Sequence, residues 1–595
     1  MSRLQKFFCS PRTRVGAILL AVVLVMPSLR GGLVGDDVRH ALILRGDSEI
    51  ELLQEFGPLD LFVFATGEPE YTARMQEIGI YPWWASPDTR LAFYRPLASA
   101  THWIDQTFWP STPELMHAQN VFWFVVVILV IGAVYRRLFA APWLAGLALV
   151  LFALDDAHAS LVAWLAARYG LIVAALSFLA FIAHDRWRRD GWSPGAWLGP
   201  AIFTVALFTG EAAVAICAYL FAHALFLDHG TLWRRLLRLA PYGLITVAWR
   251  IIYQINGFGA GASEVYRDPG REGLGFLATM AERLPSLLLS QFWVPASDLW
   301  IFYPRGVLLT VSFAAVAVIA VGLALGWPLF VRDKLARFWL TGSAIAAIPI
   351  CAVIPSDRHL LFVGVGGMGL IAQLLGLWLA RPEWLPRSTR RFKLIRAVGV
   401  GLVVIHLILA PLILPVRSSF YGIAERRFQE AVEDLPRTPD FGDKTLVVVT
   451  APSEAHTAYI HPSFDYQRRQ RPKNIRSLIT GVSELKISRP DSHTLVLEPT
   501  AGFFPSIRER TLRNPTQESR VGETIELPPM RVEISALTAD GRPSKATFRF
   551  DVPLDDPSLL WFTWKGTRFA PFELPPVGGQ VVVPRQRLMD LLTSK

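Results

Sequence analysis

Three cysteines in 595 residues exclude a disulfide framework and a thiolate metal site, because Cys9 lies in the basic N-terminus and Cys217 and Cys351 lie in separate apolar runs. Charge is scarce as well. Asp, Glu, Lys and Arg make up 18% of the chain against 52% hydrophobic residues, and a mean hydropathy of +0.36 excludes an ordinary water-soluble enzyme. There is no phosphate-binding Gly-x4-Gly-Lys-Ser/Thr loop, no zinc motif and no internal repeat, which leaves ATP-driven transport and solenoid readings without support.

What is present is long apolar segments of roughly 17 to 25 residues, the length a helix needs to cross a hydrocarbon core. They fall near 15 to 34, 118 to 135, 138 to 154, 160 to 183, 195 to 209, 211 to 227, 237 to 253, 306 to 330, 338 to 355, 359 to 380 and 395 to 416. By length alone these predict about eleven transmembrane helices, with 285 to 302 left as a re-entrant or amphipathic stretch. The net charge of +10 follows the same plan and calls for no nucleic acid. The N-terminus carries Arg3, Lys6, Arg12 and Arg14 without an acid, which places it in the cytoplasm. Alternation then makes Arg136-Arg137, Arg186 to Arg189, Arg234 to Arg238, Arg332 to Arg337 and Arg381 to Arg396 cytoplasmic, while the connections near Asp155, Glu211 and Asp357 lie outside. No small-residue cleavage site follows the first run, so it is expected to remain as an uncleaved helix in a cell (inner) membrane.

Four regions result. Residues 1–34 hold the N-terminal segment and first crossing, 35–117 a first outer loop with amphipathic helices, 118–416 the helical body with a second outer loop at 254–304, and 417–595 an extracytoplasmic domain. Pro96 suits the first turn of a helix, and Leu97, Thr101, Ile104 and Phe108 follow at helical spacing beside Trp103 and Trp109, as in a helix lying at the membrane interface. After residue 417 the pattern changes to alternating strands, at 446–449, 494–497, 531–534 and 547–550, with a turn at Ala539-Asp540-Gly541. The tail is expected to be a β-rich, sandwich-like soluble domain. Its Tyr459, His461, Tyr466, Trp561 and Trp564 suit either sugar stacking or the core.

Potentially reactive groups gather at the outer ends of different crossings: Asp36, Asp37, Arg95, His117, Asp155, Asp156, His158, Glu211, Tyr266, Asp268, Asp357, Arg358 and His359. Ionisable groups at a membrane boundary are costly unless they pair or line a wet cavity, so the set suggests an outward-facing site. Each also has a structural reading. Gly35-Asp36-Asp37 suits a helix N-terminus, and adjacent residues diverge by about 100°, so at most one of the two aspartates aims into a cavity. Asp155-Asp156 suits a simple turn, and Glu211 has no basic neighbour in sequence, so its partner must come from elsewhere in the bundle.

At these positions the sequence resembles the GT-C class of membrane glycosyltransferases, in particular the protein O-mannosyltransferase-like branch that includes the TMTC proteins, without their tetratricopeptide tail. Gly35-Asp36-Asp37 is similar to that family's acidic motif after the first helix. Phe93-Tyr94-Arg95-Pro96-Leu97, with His117 and Asn120, resembles its Tyr-Arg-Pro-Leu and His-x-x-Asn elements. The stretch from His158 through Trp164 and Arg168 to Leu171 follows its His-to-Arg pattern, and Gly210-Glu211-Ala212 and Asp357-Arg358-His359-Leu360 resemble its Lys-Glu and Glu-Arg-Tyr-Leu elements. Ser160, Gly170, Gly210 and His359 stand where the family often has Glu, Asp, Lys and Tyr.

The resemblance implies transfer of a sugar from a polyprenyl-phosphate donor to an acceptor hydroxyl of a protein, lipid or glycan on the outer face, with inversion. Asp36 or Asp37 would be the base, and Arg95, Arg168, Arg358 and His359 would face the leaving phosphate. Asp155, Asp156 and His158 would orient the acceptor or hold a divalent cation. The alternative is a non-catalytic membrane platform for the outer β domain; a transporter is less suited, since no inverted halves are visible.

Overall fold

The computed structural model describes residues 2–303, 305–380, 390–481 and 483–585. The basic stretch expected inside at Arg381 to Arg396 therefore lies outside the described residues up to position 389. The chain folds as two compact units. One comprises Met1–Val34, Tyr94–Asn256 and Pro269–Gly422, the other Gly35–Phe93, Gly257–Asp268 and Ile423–Lys595.

The first unit is helical, and the protein is a multi-pass membrane protein. Among the described residues six helices are long and apolar enough to cross a bilayer: Pro11–Arg30, Pro113–Leu138, Leu165–Asp190, Gly306–Arg332, Asp357–Leu379 and Phe392–Glu433. The pair Pro142–Ala153 and Asp156–Ala163, bent by 45°, makes a seventh if taken as one span. The other expected runs are helical but short. Gly195–Leu207 has 13 residues, Ala240–Ile255 has 16 and Lys334–Ile350 has 17, while Glu211–Phe226 follows directly on Gly210. At 1.5 Å per residue a 13-residue helix reaches about 20 Å, short of a core of about 30 Å. Thr209-Gly210-Glu211 separates two of these short helices, Gly195–Leu207 and Glu211–Phe226.

Leu165–Asp190 and Asp357–Leu379 are the most buried of the six, and their Phe178 and Phe362 rings stack with centroids 5.5 Å apart in the core of this unit. Gly146 is needed for packing, because a Cβ there would lie 2.0 Å from the backbone oxygen of Phe8. The helix expected from Pro96 runs Pro96–Phe108, with Ala98, Ser99, His102 and Asp105 buried and Trp103 and Phe108 exposed.

Among the described residues, all the strands lie in the second unit. β1 (Val63–Thr66), β2 (Arg90–Ala92) and β3 (Gly259–Gly261) form a small antiparallel sheet. The tail supplies β4 (Thr445–Ala451), β5 (Asn474–Thr480), β6 (Leu485–Ser488), β7 (Thr494–Pro499), β8 (Thr524–Leu527), β9 (Met530–Leu537), β10 (Pro543–Phe550), β11 (Leu559–Lys565), β12 (Arg568–Pro571) and β13 (Gln580–Val583). Six of them form an antiparallel sheet in the order β13-β6-β7-β10-β9-β8, and four form a mixed sheet in the order β12-β11-β4-β5. In the mixed sheet β4 runs parallel to both β5 and β11. The turn expected at Ala539-Asp540-Gly541 joins β9 to β10, with Gly541 at φ +81°.

The sheets share a core, as a sandwich requires, but β4 is buried on both faces. Val447 and Val449 join the inter-sheet core, while Leu446 and Val448 join a second core with Ile460, Phe464 and Trp564. Trp561 and Trp564 are thus core residues.

The segment 35–93 is built into this unit. Trp83 and Trp84 enter the inter-sheet core, and Trp83 Nε1 donates to the carbonyl of Leu478 at 3.1 Å. Buried Arg476 donates to the carbonyls of Gln76 (3.2 Å) and Glu77 (2.9 Å), completing the C-terminus of helix Pro69–Ile78 with positive charge. Gly79 ends that helix at φ +88°, and a Cβ on it would lie 2.0 Å from the oxygen of Ile475.

Candidate functional site

In the second unit the acidic motif opens helix Asp36–Arg45. Gly35 is its N-cap at φ +51°, and both aspartates lie in the first turn, where the helix dipole favours negative charge. The two diverge. Asp37 is buried, whereas Asp36 is half-buried and accepts a hydrogen bond from the hydroxyl of Tyr459. Arg39 fixes the helix by donating to the carbonyls of Leu61 (2.8 Å) and Val63 (2.5 Å). Tyr266 packs on Phe93 with centroids 5.8 Å apart, and Asp268 is buried.

In the first unit Arg95, just before Pro96, reaches Glu211. Its Nε and Nη2 both lie 2.9 Å from Oε2, while the Tyr253 hydroxyl donates to Oε1 at 2.8 Å. The guanidinium lies 3.8 Å from the centroid of the Tyr169 ring. Gly210 packs against that same ring, since a Cβ on it would come within 2.9 Å. Arg358 lies 4.9 Å from the Trp164 centroid and donates through Nε to His359 Nε2 at 3.2 Å. Trp164 in turn stacks on Tyr421, 5.5 Å away and tilted by 15°.

The carboxylates of the bent connections gather around a residue that sequence reasoning missed. Arg417 binds Asp156 at 2.6 Å and Asp357 at 2.8 Å, and it also pairs with Asp298. Asp357 accepts further bonds from Ser290 (2.6 Å) and from the Ser297 hydroxyl (2.7 Å) and amide (2.8 Å). Asp155 caps the turn Asp156–His158 through the amide of Ala157 at 3.1 Å, as the turn reading expects. His158 is buried against the Phe152 carbonyl at 2.9 Å.

Arg168 and His117 also serve the framework. Arg168 is fully buried and engages Asp105 (2.5 Å), Asn120 (2.5 Å), the Met116 carbonyl (3.0 Å) and the Thr101 carbonyl (3.2 Å). This joins the His-x-x-Asn element to the Trp164–Arg168 stretch. His117 Nε2 sits 2.9 Å from the oxygen of Gly32, and a Cβ on Gly31 would lie 2.8 Å from its ring.

A divalent cation does not fit these donors. Among the described residues no group of three or more His, Cys, Asp or Glu side chains is arranged to hold a metal ion, and Arg417 fills the space among Asp156, Asp298 and Asp357.

No signal distinguishes Arg417, Asp298 or Tyr253 in the sequence, and the reading of Tyr459 as a stacking or core residue does not point to Asp36. Their partners lie 42 to 423 positions away.

No family model and no curated protein matches the chain. Among solved structures it is similar to the oligosaccharyltransferase of Archaeoglobus fulgidus, tethered with an acceptor peptide containing the NVT sequon, at 12% identity and TM-score 0.37, covering 78% of this chain and 64% of that one. A second structure of that protein, with Zn and sulfate, matches at 12% identity and TM-score 0.35, covering 78% and 62%. The alignments thus span less than two thirds of the oligosaccharyltransferase chains. ArnT from Cupriavidus metallidurans, in the apo state, is similar at 15% identity and TM-score 0.33, covering 78% of this chain and 85% of that one.

Proposed function

We propose that this protein is a GT-C-type membrane glycosyltransferase that moves a sugar from a polyprenyl-phosphate carrier to an acceptor hydroxyl of a protein, lipid or glycan, on the extracytoplasmic face and with inversion. The observation that carries the reading is the pairing of Arg95 with Glu211. Two sequence elements that the family resemblance singles out, at Arg95 and at Glu211, meet in the first unit. Guanidinium groups stacked on aromatic rings there suit a phosphate whose charge grows as the sugar leaves.

In the proposed reaction the acceptor oxygen attacks the anomeric carbon, the bond from that carbon to the phosphate oxygen breaks, and the acceptor proton passes to Asp36. The phosphate departs on its lipid carrier, with Arg95, Arg358 and His359 as its partners. A positioned base of this kind contributes about 10²- to 10⁴-fold in rate. Asp36 is the aspartate proposed for the task, because Asp37 is buried. Arg168, His117, His158 and Asp155 are assigned to holding the site's framework.

The test is mass spectrometry of envelope glycans and glycoproteins from a deletion strain. One lost sugar, restored by the wild-type gene and not by Asp36→Asn with Asp37→Asn, is the expected result. The alternative, a non-catalytic platform, is favoured by one observation: Arg417 occupies three of the aspartates at the outer connections. An unchanged envelope in the deletion strain selects that reading.

A further inference from the structure

We propose that Tyr459, from the C-terminal domain, is a positioning residue for Asp36: its hydroxyl orients the carboxylate and holds it in the ionised, proton-accepting form. This rests on the reading of Asp36 as the base. It adds that the tail belongs to the catalytic apparatus, where the sequence suggested only core packing or glycan stacking for Tyr459.

The geometry is specific. Tyr459 precedes helix Ile460–Tyr466, which packs along the helix opened by Asp36. Its ring lies under the N-cap, where a Cβ on Gly35 would come within 3.3 Å of it, and its hydroxyl donates to Oδ1 of Asp36. The two helices are fastened again at the far end. Arg45 donates to the Tyr466 hydroxyl at 3.0 Å and lies 4.2 Å from its ring centroid, and Ser48 donates to Asp465 at 2.5 Å. The contact at Asp36 is therefore set by a rigid pair of elements.

The electrostatics point the same way. Burial first, then the charges of Asp36 and Asp37, raise the Tyr459 pKa well above the usual phenol value, with Arg39 opposing, so the group donates and does not ionise. A hydrogen bond to the charged form of a carboxyl favours that form. Removing the donor while keeping the ring should raise the pH at which Asp36 takes up its proton by about one unit.

The experiment uses permeabilised membrane vesicles from cells expressing the full chain, with the cell's own polyprenyl-linked donor and acceptor as substrates. The product is the glycan that the deletion strain lacks, quantified by mass spectrometry between pH 4.5 and 8.5. For Tyr459→Phe the expected result is near wild-type transfer at the alkaline end and an acid limb displaced upward by about one unit. Asp36→Asn is expected to be inactive throughout.

A Tyr459→Phe profile that superimposes on wild type overturns the proposal. So does a uniform loss at every pH with normal protein levels in the membrane, which would mark Tyr459 as a brace alone. If Asp36→Asn retains transfer, the base assignment fails and this role with it. An inactive Asp36→Asn beside an unshifted Tyr459→Phe removes only the present inference. A deletion strain that lacks no glycan removes both.

Discussion

Arg95 grips a single oxygen of Glu211 with two nitrogens, each 2.9 Å away, although 116 residues separate the two in sequence. Tyr253 holds the other oxygen, so both carboxylate oxygens are engaged and the guanidinium lies against Tyr169. The sequence requires a partner for Glu211 from elsewhere in the bundle, and these are the partners.

Glu211→Ala strands Arg95 beside the aromatic rings and is expected to cost on the order of 3 kcal/mol. Tyr253→Phe leaves the ion pair in place and should cost about 1 to 2 kcal/mol. Thermal unfolding of the detergent-solubilised protein measures both, and a larger loss for Tyr253→Phe would contradict the arrangement.

Arg417→Ala should be more damaging than Asp156→Asn or Asp298→Asn alone. It leaves three carboxylates without their shared cation, and breaking a buried ion pair typically costs about 3 to 5 kcal/mol. Adding Asp156→Asn to Arg417→Ala should recover part of the loss, which a double-mutant cycle on unfolding midpoints reads directly.

Arg168→Lys is expected to behave almost like Arg168→Ala. The fully buried guanidinium reaches Asp105, Asn120 and two carbonyls at once, and an ammonium group cannot span that fork. Near wild-type melting of the lysine variant would show that charge alone suffices.

The second unit should lose stability as pH rises above neutrality. Burial, then the neighbouring Glu509, pushes the Glu454 carboxyl up to about 8, and burial pushes Glu509 up to about 7, both from 4.5. A folded-state value above the unfolded one gives stability that is complete below 4.5 and is lost as pH rises through 7 and 8. Burial, with Arg508 and Arg471 respectively, lowers His456 and His461 from 6.5 to about 3, so their contribution is lost as pH falls from 6.5 toward 3. Glu454→Gln should therefore flatten the decline between pH 6.5 and 8.5 and leave the loss below pH 4.5 unchanged. Hydrogen exchange in β4 and β5 of the full chain follows both limbs.

Much of the architecture was legible because it depends on local pattern. Alternation marks β7, β9 and β10, a continuous apolar run marks β4, and Pro96 marks the first turn of its helix. The run count was less secure, since apolar composition does not show how many residues of a run the helix takes up: 13 in Gly195–Leu207 and 16 in Ala240–Ile255. The site was legible as a set of reactive groups and not as a set of pairs. Which aspartate meets Arg417, and that Tyr459 meets Asp36, depends on tertiary proximity that leaves no periodic trace.

The second unit draws on both ends of the chain, with Trp83 seated among strands that begin at Thr445. Synthesis therefore delivers the early segment long before its partners exist, and this indole pair has to wait for the rest of the polypeptide to emerge. Amputating the tail should leave the early segment a target for chaperones and proteases, and the severed tail should itself lack a piece of its interior.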